Sequence, residues 1–236
     1  MIVTPYFVYV HLHKSGGTFV NDALLRYVPG ARAIGYHLPV AQIPQAALHL
    51  PVLGLVRNPW SYYVSWFSFQ SGLPNPNHLF RCVSEDGSRG FADTIARLLS
   101  LERDSRLLEQ VLAGLPEGYT GHGLNLPRFA LRGLLGSGLG FYSYLYRYMY
   151  GDRTAHIGRM ETLRSELPAL LAGTGFEPPP ALLDYIRNAA ELNRSSHADF
   201  RSYYDEALRD QVEQADAALI RGHDYRFAPA PGAPMP

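Results

Sequence analysis

This 236-residue sequence is short of lysine, cysteine, charge and long apolar runs, and each shortage limits what the protein can be. Charged residues make up 18% of the chain, below the roughly 25% typical of soluble domains, and the formal net charge is zero. Because there is no overall basic field, we expect no nucleic-acid partner. The single cysteine, Cys82, excludes an internal disulfide and suits a reducing compartment.

Membrane-spanning and exported proteins are also disfavoured by what the chain lacks. No apolar run reaches the roughly 18 residues that a membrane helix needs. The opening stretch, MIVTPYFVYV, has no basic start like that of a secretory signal peptide. We therefore expect a cytoplasmic protein without a membrane anchor.

Lysine is the scarcest charged residue: 20 of the 21 basic residues are arginine, and Lys14 is the one lysine. It lies in the stretch HLHKSGGTFV, directly before two glycines. Arginine carries a planar fork, whereas lysine carries a compact charge on a thin stem. A tight loop around a phosphate or sulfate can admit an ammonium group where a guanidinium would clash. Lys14 therefore suggests a local anion site, although chance alone also has to place a lone lysine somewhere.

Alternating strands and helices dominate what the sequence does contain. Short apolar runs predict strands, listed in chain order as Tyr6–Leu12, Ala31–Tyr36, Pro51–Val56 and Thr154–Met160. Helical spacing predicts helices over Thr18–Tyr27, Trp60–Phe69, Phe91–Leu112, Thr162–Ala172, Pro180–Glu191 and Tyr204–Arg221. The tyrosine-rich FYSYLYRYMYGD has a tyrosine at every second position and fits either a strand or a helix, of which we favour the helix. This alternation predicts an α/β fold with a central, mainly parallel sheet.

The first motif, HKSGGT, joins a predicted strand to the start of a predicted helix. Free backbone N–H groups and the helix dipole converge at such a junction, so the amides of residues 15–18 can surround an oxyanion. Gly16 and Gly17 allow close approach, Lys14 adds a full charge, and Thr18 adds a hydroxyl. The motif is not a Walker loop, in which the lysine follows the last glycine.

The second motif, RNPWSYYVS, ends a later strand and opens the next helix. Arg57 lies at the strand end and Ser65 lies two turns into the helix. Both are suited to one further phosphate. Arg57 could instead merely cap the strand, but the complete motif favours a phosphate site.

Together the two motifs resemble those of sulfotransferases that use 3′-phosphoadenosine 5′-phosphosulfate (PAPS) and release 3′,5′-adenosine bisphosphate (PAP). K-S-G-G-T matches the 5′-phosphosulfate loop of that family, and R-N-P-x5-S matches its 3′-phosphate motif. The doubled glycine is closer to the carbohydrate-type and bacterial branch than to the small-phenol branch. The C-terminal stretch from RMETLRSELPALLAGTGF to HDYRF also resembles that branch. The resemblance implies a three-layer, P-loop-like fold flanked by helices.

The resemblance also implies a role for each matching residue. Lys14 would stabilise charge on the leaving phosphate. The 5′-phosphate would be held by Ser15, Gly16, Gly17 and Thr18, and the 3′-phosphate by Arg57 and Ser65. Phe19 would stack on adenine, and Asn193 and Ser195, in a C-terminal loop with Arg194, would close over the nucleotide. The family usually has proline where this chain has His13.

Domain organisation follows from where the resemblance holds and where it is absent. We expect a single domain over residues 1–227 and a disordered tail, APAPGAPMP, over residues 228–236. Residues 71–150 match nothing in the family and are predicted to be a largely helical, acceptor-binding insertion.

Transfer to a hydroxyl needs a base, which the family often places shortly after the first helix. There the sequence offers His37, at the edge where a site should open, and an imidazole suits this role at neutral pH. His37 can also be read as an ordinary loop histidine. His11 and His13 are candidates for structural roles, and no residue cluster has metal-ligand spacing, so no metal is predicted.

The sequence thus predicts a metal-independent sulfotransferase acting on an acceptor hydroxyl, with a saccharide favoured from the motif spelling. A phenol, a peptide tyrosine and a lipid or polyketide hydroxyl remain alternatives. Two other functions stay open: a P-loop-type nucleotide kinase, which would need a Walker lysine, and a non-catalytic nucleotide-binding protein.

Overall fold

The computed structural model describes residues 1–121, 124–190 and 198–228, and these contain five strands and eleven α-helices. The strands are Ile2–Val3 (β1), Val8–Val10 (β2), Arg32–Ala33 (β3), Val52–Val56 (β4) and Ala155–Arg159 (β5). The helices are Gly17–Tyr27 (α1), Pro59–Ser71 (α2), His78–Ser84 (α3), Phe91–Ser100 (α4), Ser105–Ala113 (α5), Arg128–Arg132 (α6), Phe141–Tyr150 (α7), Leu163–Ala172 (α8), Pro180–Asn188 (α9), Glu206–Ala215 (α10) and Ala217–Gly222 (α11).

The described residues group into two compact units. The first unit contains all five strands and is drawn from Met1–Arg57, Tyr119–Asn125 and Leu145–Arg194. Helices make up the regular structure of the second, which is drawn from Asn58–Gly118, Leu126–Tyr144 and Ser195–Pro236. The single domain over residues 1–227 and the acceptor-binding role of residues 71–150 stay predictions. Most of the predicted tail, from residue 229 onward, lies outside the described residues.

The sheet has the strand order β3-β1-β2-β4-β5. β1 runs antiparallel to β2 and β3, whereas β4 lies parallel to both β2 and β5. Four of the five strands therefore point the same way, with Val8 opposite Val52 and Val56 opposite Arg159. The predicted α/β fold with a mainly parallel sheet flanked by helices is confirmed.

One face of the sheet is covered by α1, α8 and α9. Their apolar side chains pack on β2 and β4 in a single core cluster, comprising Ile2, Phe7, Tyr9, Phe19, Val20, Ala23, Leu24, Val28, Leu53, Leu55, Leu167, Leu171, Phe176, Leu182 and Ile186. Full burial of one such aliphatic side chain contributes about 1.5–3 kcal/mol. Towards the other face, the Tyr150 hydroxyl at the end of α7 lies 3.3 Å from Val10 O and 3.2 Å from Leu55 O. Gly54 leaves room for this ring, since a Cβ there would lie 2.1 Å from the hydroxyl.

The apolar start of the chain forms two strands rather than one. Thr4 turns the chain between β1 and β2: its Oγ1 accepts hydrogen bonds from Tyr6 N at 3.1 Å and Phe7 N at 2.9 Å. The predicted strand over Tyr6–Leu12 is consequently shorter, since only Val8–Val10 belongs to β2. The residues before β2 pair back on it as β1.

Two long predicted helices are each broken at an aspartate. Phe91–Leu112 divides into α4 and α5 because the Asp104 side chain caps α5, accepting from Leu107 N at 2.9 Å. Tyr204–Arg221 divides into α10 and α11 at Asp216, which is fully buried. Asp216 accepts from Tyr63 Oη at 2.7 Å and from Ser143 N at 2.8 Å, and burial raises its pKa.

Several arginines have a structural role that suits the shape of the guanidinium group. The planar guanidinium donates to two or three carbonyl oxygens at the end of one helix. Such forks cap α3 (Arg97 to Val83 O and Cys82 O), α5 (Arg128 to Leu112 O and Ala113 O) and α9 (Arg164 to Ile186 O, Arg187 O and Ala189 O). At these three positions the use of arginine thus has a physical reason.

The helices in residues 1–121, 124–190 and 198–228 include none long and apolar enough to cross a membrane.

Candidate active site

The loop between β2 and α1 has the geometry of an anion site. Lys14 has a φ of 57° and Gly16, the N-cap of α1, has a φ of 75°, so the backbone turns tightly where the helix begins. Glycine supplies no side chain to cap the first helical N–H groups, which in any α-helix lack intrahelical carbonyl partners. The first turn of α1, which lies wholly within the described residues, carries no acidic side chain. The positive end of the helix dipole therefore favours an anion here.

A second cation reaches the same loop. Arg57, at the end of β4, donates from Nη1 to Lys14 O at 3.3 Å. Burial, reinforced by the charge of Arg57, lowers the pKa of Lys14 from 10.5 to about 8. Because the charge of Arg57 acts unfavourably on the Lys14 ammonium, an anion beside both cations relieves that electrostatic cost.

His11 explains why the loop needs its second glycine. Its buried ring packs against the start of α1, where a Cβ on Gly17 would lie only 1.8 Å from His11 Cδ2. Asn21 Nδ2, one turn along α1, lies 3.3 Å from His11 Nδ1 and donates to it. The His11 ring therefore fixes the loop against the helix.

Replacing Gly17 by alanine should destabilise the protein by about 2 kcal/mol, a typical cost of overpacking. Alanine is otherwise the better helix former, so the sign of the change reports the clash with His11. Chemical denaturation measures the difference. Gly118→Ala is the matched control, because a Cβ at Gly118 meets no atom within 4 Å. Equal unfolding midpoints for the two variants would contradict the packing described for His11.

His37 is held in an unusual conformation next to this loop. Its φ is 47°, its side chain is buried at 5% exposure, and its Nδ1 lies 2.8 Å from the backbone oxygen of His11. A carbonyl can only accept, so Nδ1 carries the proton and Nε2 carries the lone pair. Burial lowers the pKa of His37 from 6.5 to about 4, and at neutral pH the ring is therefore an uncharged base.

Three aromatic rings surround His37. The ring centroids of Tyr36, His11 and His13 lie 4.1, 4.3 and 5.1 Å from that of His37. His13 is buried, and burial together with His37 and Lys14 lowers its pKa. This neighbourhood keeps the imidazoles uncharged, as a proton acceptor in the site requires.

The remaining residues predicted in the first motif lie in the first unit. The Ser15 hydroxyl donates to His13 O at 3.3 Å, and Thr18 is the second residue of α1. Phe19 is buried, with its ring 5.4 Å from that of Tyr185 and the Arg164 guanidinium 5.3 Å from its centroid. Its contact with adenine stays a prediction.

The other predicted site residues do not lie in the described part of the first unit. Ser65 is a buried residue of α2 in the second unit, so its predicted phosphate contact with Arg57 stays a prediction. Asn193 and Ser195, with Arg194, lie outside the described residues.

Asn125 is a residue that the sequence did not single out. It has a φ of 49°, it is 4% exposed, and its side-chain amide donates to the carbonyl oxygen of Tyr36. One signal was available, because asparagine adopts positive φ more readily than most residues and follows a glycine-containing segment here. Nothing in the sequence indicates its partner, which is 89 residues away.

Among residues 1–121, 124–190 and 198–228, no group of three or more histidine, cysteine, aspartate or glutamate side chains is arranged to hold a metal ion.

Comparison with known proteins shows which fold type the chain shares. No protein-family model matches the sequence, and no curated protein is significantly similar to it. Among solved structures, the mouse sulfotransferase SULT7A1 complexed with PAP has a TM-score of 0.50 to this chain at 14% identity. The match covers 92% of this chain and 84% of that protein. The likeness shows that this chain has a sulfotransferase-type α/β fold.

Proposed function

We propose that this protein is a sulfotransferase that moves the sulfuryl group from PAPS to an acceptor hydroxyl. The observation that carries the proposal is the convergence of Lys14, Arg57 and the start of α1 on one loop. The fold shared with a sulfotransferase complexed with PAP supports it. A saccharide is the favoured acceptor because of the doubled glycine, with a phenol, a peptide tyrosine and a lipid or polyketide hydroxyl as alternatives.

The residues of the loop fit an anionic co-substrate. Two cations and a helix start with a glycine N-cap form a donor set suited to phosphate oxygens. In the proposal, the backbone of residues 15–18 holds the 5′-phosphate and Phe19 contacts adenine. Arg57 and Ser65 hold the 3′-phosphate, and Asn193 and Ser195 lie over the nucleotide.

The proposed reaction is a direct displacement at sulfur. The acceptor oxygen forms a bond to sulfur as the bond from sulfur to the 5′-phosphate oxygen breaks, and PAP leaves with that electron pair. His37 accepts the acceptor's proton at Nε2, and the Lys14 ammonium stabilises the charge on the leaving oxygen. Positioning and electrostatics supply most of the rate enhancement in such transfers.

The two other functions predict different behaviour. A P-loop-type kinase would use a lysine after the last glycine of the loop, whereas Lys14 precedes Gly16 and Gly17. A non-catalytic nucleotide-binding protein would not need an uncharged histidine with a defined tautomer at His37. The kinase alternative is an outcome of the nucleotide titrations below, and the non-catalytic alternative is an outcome of the turnover assays, in which such a protein releases no PAP from PAPS.

Replacing Arg57 by alanine should weaken PAP binding about 10- to 100-fold, the loss of one or two charged hydrogen bonds. Binding of AMP, which has no 3′-phosphate, should change much less. Isothermal titration calorimetry of both nucleotides, without metal, measures the effect. Arg32→Ala, at an exposed position of β3, is the matched control. Equal losses for PAP and AMP would contradict the assignment of Arg57 to the 3′-phosphate.

A further inference from the structure

Three non-glycine residues in the described part of the first unit have a positive φ: Lys14, His37 and Asn125. Such conformations are uncommon outside glycine and cluster at functional sites. Lys14 and His37 are the two groups proposed to act on the leaving oxygen and the acceptor. Asn125 is the third, and it comes from the 71–150 segment, where the family resemblance assigns no role.

The side chain of Asn125 is fixed at both ends. Its Oδ1 accepts hydrogen bonds from Thr120 N at 2.7 Å and Gly121 N at 3.0 Å, and its Nδ2 donates to Tyr36 O. Because the side chain is almost fully buried, water does not compete strongly for these bonds. Asn125 therefore joins the chain at residues 120–121 to the carbonyl that precedes His37.

That carbonyl belongs to the same rigid peptide plane as the His37 N–H group. The φ of His37 is the rotation about its N–Cα bond, which sets the direction of the side chain relative to this plane. With the plane held, a φ of 47° places the ring against His11 O. A histidine not held in this way would leave the positive-φ region and carry its ring away from His11 O. His37 thus has two anchors: Asn125 acting on its peptide plane and His11 O acting on its Nδ1.

We propose that Asn125 is a positioning residue for His37, holding through Tyr36 O the backbone that presents Nε2 to the acceptor hydroxyl. This inference rests on the proposed function, in which His37 is the base. It gives the 71–150 segment a part in the chemistry beyond acceptor recognition.

The test combines histidine NMR with binding and turnover. Asn125→Asp keeps the oxygen that accepts from Thr120 N and Gly121 N but removes the donor to Tyr36 O. In the unchanged protein, we expect one His37 Nδ1–H signal, assigned by its absence from His37→Gln. In Asn125→Asp this signal should be lost or joined by the other tautomer. PAP affinity should stay within about two-fold, while turnover of PAPS with 4-nitrophenol or an N-acetylglucosamine oligomer should fall about 10- to 100-fold.

Two further variants separate positioning from folding. Asn125→Gly accepts the positive φ but lacks the amide, so it should lose the Nδ1–H signal while keeping the thermal midpoint close to that of Asn125→Asp. Asp86→Gly relieves a positive φ of 55° in the second unit and should leave the His37 signal unchanged. An intact signal and full turnover in Asn125→Asp would overturn the proposal, as would an equal loss in Asp86→Gly. If the unchanged protein binds no PAP, the proposed function fails, yet the NMR comparison still decides whether Asn125 orients His37.

Discussion

Replacing Lys14 by arginine should lower turnover about 10³-fold, nearly as much as replacing it by alanine. Arginine keeps the charge, so the loss would report geometry: the residue lies in a tight turn at a φ of 57°, and Arg57 already donates to its carbonyl. A second guanidinium in this loop would add bulk to a site that a thin ammonium stem can enter. PAP release from PAPS, with 4-nitrophenol, a tyrosine peptide and an N-acetylglucosamine oligomer as acceptors, measures the effect.

The alkaline side of the pH profile gives an independent check on Lys14. Burial and Arg57 lower the pKa of Lys14 to about 8, so the charged form prevails below that pH and is lost above it. The ratio kcat/KM should therefore fall above pH 8, whereas kcat should hold to higher pH because bound phosphates raise the pKa again. Lys14→Arg should lack this alkaline decline. Full activity in Lys14→Arg would contradict the role given to the lysine.

Replacing His37 by alanine should lower kcat about 10²- to 10⁴-fold, the usual contribution of a general base, with PAP affinity nearly unchanged. The reason is that Nε2 is the lone-pair nitrogen once Nδ1 donates to His11 O. The same PAP-release assay, paired with calorimetry, separates the loss in kcat from any loss in binding. His49→Ala is the matched control, since His49 is an exposed histidine on the same stretch of chain.

The acid side of the pH profile tests the state of His37. Burial lowers its pKa to about 4, so the ring is uncharged above that pH and protonated below it. The ratio kcat/KM should stay level down to about pH 5 and decline only towards pH 4. With an ordinary histidine as the base, the decline would already be centred near pH 6.5. The hydrogen bond to His11 O opposes this lowering of the His37 pKa, whereas the charges of the Met1 amino group and of Lys14 add to it. An acid decline centred near 6.5 would place the base elsewhere.

The parts of the site that depend on local sequence were predictable. Strand runs, glycines and helical spacing placed Lys14 between β2 and α1 and Arg57 at the end of β4, because these signals act over a few residues. The choice of helix for the tyrosine-rich stretch was also right, since Phe141–Tyr150 forms α7.

Features that depend on distant partners were not predictable. Asp216 looks like an ordinary helical residue until its partners Tyr63 and Ser143 are known, 153 and 73 residues away. Asn125 is inconspicuous until the fold brings it to Tyr36. The orientation of His37 likewise depends on His11 O, and residue spacing carries no information about such a contact. Buried polar groups obtain their hydrogen-bond partners from the tertiary structure, which is why the sequence missed them.

The most direct test of the account is calorimetric titration of the unchanged protein with PAP and with ADP, first in EDTA and then with magnesium. If Lys14, Arg57 and the start of α1 form a PAPS site, PAP should bind in EDTA about 100-fold more tightly than ADP, because only PAP carries the 3′-phosphate. Magnesium should change little. ADP binding as tightly as PAP, or nucleotide binding that needs magnesium, would contradict the sulfotransferase function and favour the kinase alternative.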